Sequence, residues 1–168
     1  IGVTKLAQAI GEYVELNTDH TVHLTDTTAD KVQRIEIQGR TAVTITRRDE
    51  VYSVRELSAA VTSQSACEAA FSNAATLLAE GVAAEGVTDF AAYGLDEPVS
   101  TVNITYTDGT TLLLEIGDAA PASQHYYVRV DGGDTVYLMR PLIVEMFSEG
   151  VAAYRDLSGF AVATDGLA

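Results

Sequence analysis

Hydrophobic and polar residues alternate along three consecutive stretches in the first third of the chain, and this pattern predicts an antiparallel meander. The predicted strands cover residues 32–38, 41–47 and 51–54. The residues between them, Gly39-Arg40 and Asp49-Glu50, predict tight turns because glycine and short polar residues favour turn conformations. A further short strand is predicted over residues 21–25.

The same alternation returns between residues 101 and 139 and predicts a second meander. Its four strands are predicted over residues 101–107, 111–116, 125–130 and 135–139. Asp108-Gly109 is the strongest hairpin signal in the chain, and Gly132-Gly133 allow another tight turn. In both halves the strands precede a helical segment, so duplication of one meander-plus-helix unit is one interpretation.

Apolar residues recur at helical spacing in three further segments. The predicted helices cover residues 4–16, 64–80 and 141–149. In the second helix, Ser65 and Glu68 have the spacing of a capping box, and Thr62 and Ser63 are alternative caps. Gly81 is expected to end this helix, since glycine readily adopts the left-handed backbone found there.

Together these elements predict an α+β fold in which antiparallel β-meanders pack against two or three helices. The helix at 64–80 has one apolar stripe, so we expect Phe71 and Leu78 to pack on the second meander. The sheet residues expected beneath it include Val102, Ile104, Leu112, Leu114, Val128 and Val136. The opposite face is expected to present Asn103, Thr105, Glu115 and Arg129.

The chain is long enough for one core that needs neither a disulfide nor a metal. We expect an α+β domain at residues 29–157, preceded by a helix/strand extension at 1–28 and followed by a tail at 158–168. No run of 18 apolar residues occurs, so no membrane span is predicted in this sequence. The chain begins with Ile1 rather than methionine, and a signal peptide or membrane anchor would lie upstream.

Charge is distributed unevenly along the chain. There are 24 acidic and 10 basic side chains, a formal net charge of −14, which repels nucleic acids and makes them unexpected partners. Six of the bases lie between Lys31 and Arg55, whereas Glu56 to Val128 contains no lysine or arginine. We favour the interpretation that these two segments neutralise each other. The alternative is a local basic face for an acidic partner.

Motifs for catalysis, cofactors and metals are weak. The sequence contains no GxGxxG, no phosphate-binding GxxxxGK[ST] and no GxSxG, so no cofactor is expected. His20 and His23 lie on an extended stretch that points them apart, so no metal site is expected. Residues 131–134 are better explained as a turn than as a calcium loop. Cys67, the single cysteine, is expected to be a small buried hydrophobe.

Residues 93–98, YGLDEP, form the most distinctive stretch of the chain, within a predicted loop at 82–98. We expect Tyr93 and Leu95 to pack against the core, and Gly94 to adopt a backbone conformation that would be strained for other residues. Pro98 sets an extended entry to the next strand. The loop, including Asp96, is either a packed connection, which we favour, or an interaction site.

The order YGLDEP, VNITYTDG, LLLEIGD, HYYVRV and VYLM resembles DUF4340, a bacterial domain family of unknown function. VQRIEIQG upstream, the helix that follows Ser65, and YRDL at 154–157 also fit, so the resemblance spans about residues 30–157. YGLDEP is its most specific part. The family has no established catalytic residues, so the resemblance transfers none.

The resemblance implies a place in the bacterial cell envelope. Some members look like envelope proteins with an N-terminal membrane anchor, and others are similar to components encoded with ABC-type transport or gliding machinery. We therefore expect a non-catalytic extracytoplasmic module that binds a protein or an envelope component, and the resemblance also implies an accessory role beside transporter subunits. The alternative is a hydrolase whose site is assembled from distant residues, with His125 beside an aspartate and a serine.

Overall fold

The computed structural model describes residues 21–121 and 123–156. The helix predicted at 4–16, His20 and the tail predicted at 158–168 lie outside the described residues. The described strands are β1 Val22–His23, β2 Val32–Gln38, β3 Ala42–Arg48, β4 Val51–Val54, β5 Leu78–Ala79, β6 Gly81–Ala84, β7 Ser100–Tyr106, β8 Thr111–Ala119, β9 Tyr126–Val130 and β10 Val136–Met139. The helices are α1 Gln64–Ala75 and α2 Pro141–Met146, with 3-10 turns at Ala29–Lys31, Ala59–Val61, Phe90–Tyr93 and Val151–Tyr154.

One eight-stranded antiparallel sheet organises the fold, which confirms the α+β class. Its strand order is β4-β3-β2-β7-β8-β9-β10-β6. The two meanders join edge to edge where β2 pairs with β7, with Ile35 opposite Ile104. β6 returns to the far edge beside β10, and β1 pairs with β5 in a separate two-stranded ribbon.

Both predicted meanders are present. β2 and β4 have the predicted bounds, β3 and β7 are shifted by one residue at both ends, and β9 and β10 begin one residue later than predicted. β8 continues three residues beyond the predicted end, to Ala119. The turn at Asp49-Glu50 uses positive φ angles of 52° and 67°, which short polar residues tolerate better than most. Whether the two halves arose by duplication stays an interpretation.

The prediction that α1 reaches residue 80 is wrong, because the helix ends at Ala75. Its last carbonyl groups are bound by other elements: the Tyr106 hydroxyl donates to Ala74 O at 2.9 Å, and the Thr25 hydroxyl lies 2.9 Å from the same oxygen. The amide of Leu77 then donates to Thr25 Oγ1 at 2.8 Å, which turns the chain away from the helix axis. Residues 78–79 therefore form β5.

Two neighbouring predictions change with the helix end. Gly81 does not end α1; it is the first residue of β6, so the predicted loop at 82–98 contains a strand and a 3-10 turn. At the other end, the capping box of Ser65 and Glu68 is wrong. Ser63, one of the two alternatives, caps the helix by accepting a hydrogen bond from Ala66 N at 3.2 Å.

The core lies on one face of the sheet, and α1 covers a different part of it than predicted. The helix packs on β2, β4 and the turns at Ala29–Lys31 and Val151–Tyr154, rather than mainly on the second meander. Phe71 is fully buried, and its ring meets Tyr52 edge-on at 4.9 Å. Leu78 is off the helix and half-buried. Val102, Ile104, Leu112, Leu114 and Val128 belong to the same core cluster as Phe71, but Val136 does not.

Candidate functional site

Residues 89–98 fold into a compact loop. Asp89 caps the 3-10 turn Phe90–Tyr93 by accepting a hydrogen bond from Ala91 N at 3.1 Å. Gly94 ends the turn with a φ of +71°, a conformation that favours glycine. The amide of Leu95 then donates to Phe90 O at 3.0 Å, and the Leu95 side chain is only 2% exposed.

The loop backbone lies directly on β8, where two glycines make the approach possible. A side chain on Gly117 would overlap the carbonyl oxygen of Tyr93 and would come within 3.0 Å of the carbonyl carbon of Gly94. A side chain on Gly94 would overlap the carboxylate of Asp118. The YGLDEP and LLLEIGD stretches are therefore one packing unit, although 22 residues separate the two glycines.

The loop builds a small second core on the face of the sheet opposite α1, here called the outer face. The ring of Tyr93, which is half-buried, meets Tyr127 edge-on at a centroid distance of 4.9 Å. Leu95 and Val136 are buried but lie outside the main core cluster. Asp96 is exposed and Pro98 is half-buried. An interaction role for this loop stays a hypothesis.

Arg129 is the centre of a cluster that the sequence analysis missed. Its guanidinium donates to Gly133 O at 2.7 Å and to Gly132 O at 2.8 Å, and it lies 3.8 Å from the centre of the Phe90 ring. Glu115 is 3.7 Å away, with side-chain exposures of 22% and 18% for the pair. Arg129 and Glu115 lie on the face opposite the core, as expected, but they are half-buried rather than fully presented to solvent or to a partner, and the Phe90 ring stacks on Arg129.

The other half of the outer face, formed by β2, β3, β4 and β7, is left uncovered by the residues that the structure describes. The strand register aligns one row of outer residues across these strands and a second row beside it. The rows are Thr105, Arg34, Thr46 and Ser53, followed by Asn103, Glu36 and Thr44. All of them are exposed or half-buried. We call these seven residues the open face.

A groove of about 480 Å³ marks one corner of the open face. Its lining residues are Gln33, Arg34, Thr46, Arg47, Arg48 and Ser53. No lining residue carries a carboxylate, although the chain has a net charge of −14. Arg34 lies 3.8 Å from Glu36, and Arg47 donates to the backbone oxygen of Asp30 at 3.2 Å. We call this feature the arginine groove.

The favoured interpretation of the charge segregation, that the two segments pack side by side and neutralise each other, agrees with the structure only in part. The segments do pack side by side, since β2 pairs with β7. Within residues 21–121 and 123–156, no ion pair joins the basic segment 31–55 to the acidic segment 56–128. Arg34 pairs with Glu36 inside its own segment, and Arg40 lies 4.0 Å from Glu149. The alternative, a local basic face, agrees better with this arrangement.

The residues considered for a hydrolase are partly brought together. His125 Nε2 lies 4.0 Å from Glu80, which also lies 3.4 Å from Arg140. Ser123 is close by, but its hydroxyl accepts a hydrogen bond from the backbone amide of His125 at 3.2 Å. A serine nucleophile needs its hydroxyl at the imidazole of its base. The structure shows a Glu–His contact and no complete triad among these residues.

Other candidate groups are engaged structurally. Burial raises the pKa of the Cys67 thiol to about 11, so it is protonated at neutral pH and a poor nucleophile. Asp131 accepts a hydrogen bond from Leu113 N at 2.8 Å, as expected for a turn residue. His23 is exposed on β1. In the described part of the chain, no three His, Cys, Asp or Glu residues cluster closely enough to hold a metal ion.

Within the same described residues, neither helix has the length and apolar character required to cross a membrane. Residues 53–168 match a family described as a domain of unknown function, DUF4340. The matched region includes the YGLDEP loop, β8 and the whole second meander, whereas β2 and β3 precede it. No curated protein and no solved structure matches the chain.

Proposed function

Because the chain belongs to the DUF4340 family, we propose that it is a non-catalytic binding or scaffold module of the bacterial cell envelope. In this proposal it works outside the cytoplasm and holds a protein partner. We further propose that this partner is a subunit of an ABC-type transport system, as the family resemblance implies. The family match supports the proposal only by placing the chain in a family without known chemistry.

The observation that carries the proposal is the open face. Antiparallel sheets commonly bury one face and leave the other to solvent or to a partner. Here the outer face is divided: the loop at 89–98 covers β8 and β9, whereas the residues of the open face on β2, β3, β4 and β7 are exposed or half-buried in the part of the chain that the structure describes. The threonine, serine and asparagine side chains of the open face can donate and accept hydrogen bonds with a partner.

A hydrolase is the second candidate, and the contact between Glu80 and His125 is the observation that favours it. A carboxylate beside a histidine can orient the imidazole as a general base. Against this, the nearby Ser123 hydroxyl is bound to backbone, and Arg140 competes for Glu80. A structural ion cluster where β9 begins and β10 ends explains both contacts of Glu80.

Two experiments separate these functions. The full-length protein, tagged and expressed at its native level, is cross-linked in cells and purified, and its compartment is determined by fractionation with periplasmic and cytoplasmic markers. We expect an envelope location and stoichiometric recovery of a transporter subunit. The purified protein is also assayed against ester, peptide and phosphoester substrates. Turnover that is abolished in His125→Ala would contradict the binding role and support the hydrolase.

A further inference from the structure

We infer that the arginine groove binds a short acidic segment of a partner protein through the carboxylates of aspartate or glutamate side chains. The inference rests on the proposed function, because it names the chemistry by which the binding module would recognise its partner. It also concerns residues that mostly precede the matched region, since Gln33, Arg34, Thr46, Arg47 and Arg48 come before residue 53.

The composition of the groove is the first argument. The groove is lined by side chains that can donate hydrogen bonds, those of Gln33, Arg34, Thr46, Arg48 and Ser53. Arg47 also lines it, but its strand position shares the α1 face with Val43 and Ile45, and its guanidinium donates to the backbone oxygen of Asp30 at 3.2 Å. Arginine presents a planar fork of donors that matches a carboxylate in two-point contacts. In a strongly acidic chain, two arginines, Arg34 and Arg48, beside one concavity without a lining carboxylate form a local site for an anion.

Available hydrogen-bonding capacity is the second argument. Arg48 is exposed, and no carboxylate of the described residues lies within 4.0 Å of its guanidinium. Arg34 is paired with Glu36 only loosely, at 3.8 Å, with 45% of its side chain exposed. Exposed pairs of this kind contribute little free energy, so an incoming carboxylate can displace Glu36 at small cost.

Size and construction favour an acidic peptide over a single phosphate. The groove volume of about 480 Å³ is larger than one small anion fills. All six lining residues lie on the strands β2, β3 and β4, so no helix N-terminus supplies the backbone amides that commonly hold phosphate groups.

The test is an NMR titration at low salt. The synthetic peptide acetyl-Asp-Glu-Asp-Glu-Asp-amide is added to the isotopically labelled full chain, and the chemical shifts of the backbone amides are monitored. We expect saturable shifts at residues 33–34, 46–48 and 53. Arg34→Gln and Arg48→Gln should each weaken binding about threefold to tenfold, the range expected when a solvent-accessible arginine loses a charge-assisted hydrogen bond. Glu36→Gln should strengthen it, because the competing carboxylate is removed.

The matched control is Arg40→Gln, which removes the same charge at an exposed position outside the groove and should leave binding within twofold. Equal weakening by Arg40→Gln would show a general charge effect and overturn the inference. If the amide shifts show that inorganic pyrophosphate binds the groove more tightly than the peptide does, the groove is a phosphate site and the inference is overturned. Absence of groove shifts with either probe would also refute it, while partner recovery from cells would still support the proposed binding function.

Discussion

Substitution of Gly117 by alanine tests the packing of the YGLDEP loop on β8. An alanine side chain there would overlap the Tyr93 carbonyl oxygen, and this clash involves backbone, so no side-chain rotation relieves it. Gly117 does not have a positive φ, so the substitution adds bulk without added backbone strain at the site itself. The loop must therefore move away from the sheet.

The magnitude follows from what the loop would lose. Full exposure of Leu95 forfeits about 1.5–3 kcal/mol, and loss of the edge-on pair between Tyr93 and Tyr127 forfeits about 0.5–1.5 kcal/mol. Partial relaxation reduces this sum, and overpacking alone costs about 1–3 kcal/mol. We therefore expect a loss of about 2–4 kcal/mol in the free energy of unfolding. For a chain of this size that lowers Tm by about 4–16 °C.

Urea denaturation followed by circular dichroism measures the change, because the midpoint reports stability when the slope is constant. Gly133→Ala is the matched control, since a side chain there meets only Val130 O, at 3.3 Å, and its φ is not positive. The control should lose less than about 1 kcal/mol. If Gly117→Ala is as stable as Gly133→Ala, the close contact between loop and sheet is not present in the protein.

Three further predictions concern single side chains. Leu95→Ala should lower the free energy of unfolding by about 2–4 kcal/mol in urea melts. The control Val99→Ala, at a position that is 56% exposed, should change it by less than about 1 kcal/mol. Equal losses in the two variants would contradict the burial of Leu95. Gln64→Ala should lower the free energy of unfolding by about 1–2 kcal/mol and cause aggregation that light scattering detects. The reason is that the Gln64 carboxamide occupies the free edge of β4 through two 2.8 Å hydrogen bonds to the Tyr52 backbone. An unchanged urea melt and a monodisperse solution would refute this. Burial raises the pKa of the Cys67 thiol from 9.0 to about 11, so the stability that the buried neutral thiol contributes is complete below pH 9 and is lost as the pH rises through 11. The urea midpoint should therefore fall less over this pH range in Cys67→Ala than in the parent protein. An identical fall in both proteins would contradict the burial of the thiol.

Much of the sheet could be predicted because its signals are local. Alternation over four to seven residues, with glycine or aspartate at the turns, specified β2, β4 and the hairpins of the second meander. The end of α1 could not be predicted in this way. The residues after Ala75 continue an apolar pattern, and the groups that turn the chain, Thr25 and Tyr106, are distant in sequence.

The candidate site depends still more on distant contacts. Glu115 and Arg129 alternate as surface residues do, and only the structure shows that Phe90 stacks on Arg129 and that both side chains are largely buried. Val136 precedes three more apolar residues, so alternation could not assign its face. The basic segment was visible in the sequence. The lack of ion pairs between the described residues of this segment and those of the acidic segment could be seen only in the structure, because ion pairing depends on which side chains lie within reach.

The most direct test of the binding role is site-specific photo-cross-linking in cells that express the full-length protein. A photoreactive amino acid replaces Asn103 on the open face or, as the matched control, Leu142, which is 68% exposed on α2. We predict that Asn103 cross-links to one partner protein in high yield and that Leu142 does not. Cross-linking from Leu142 alone, or from neither position while the protein is folded and located in the envelope, would contradict the assignment of the open face as the binding surface.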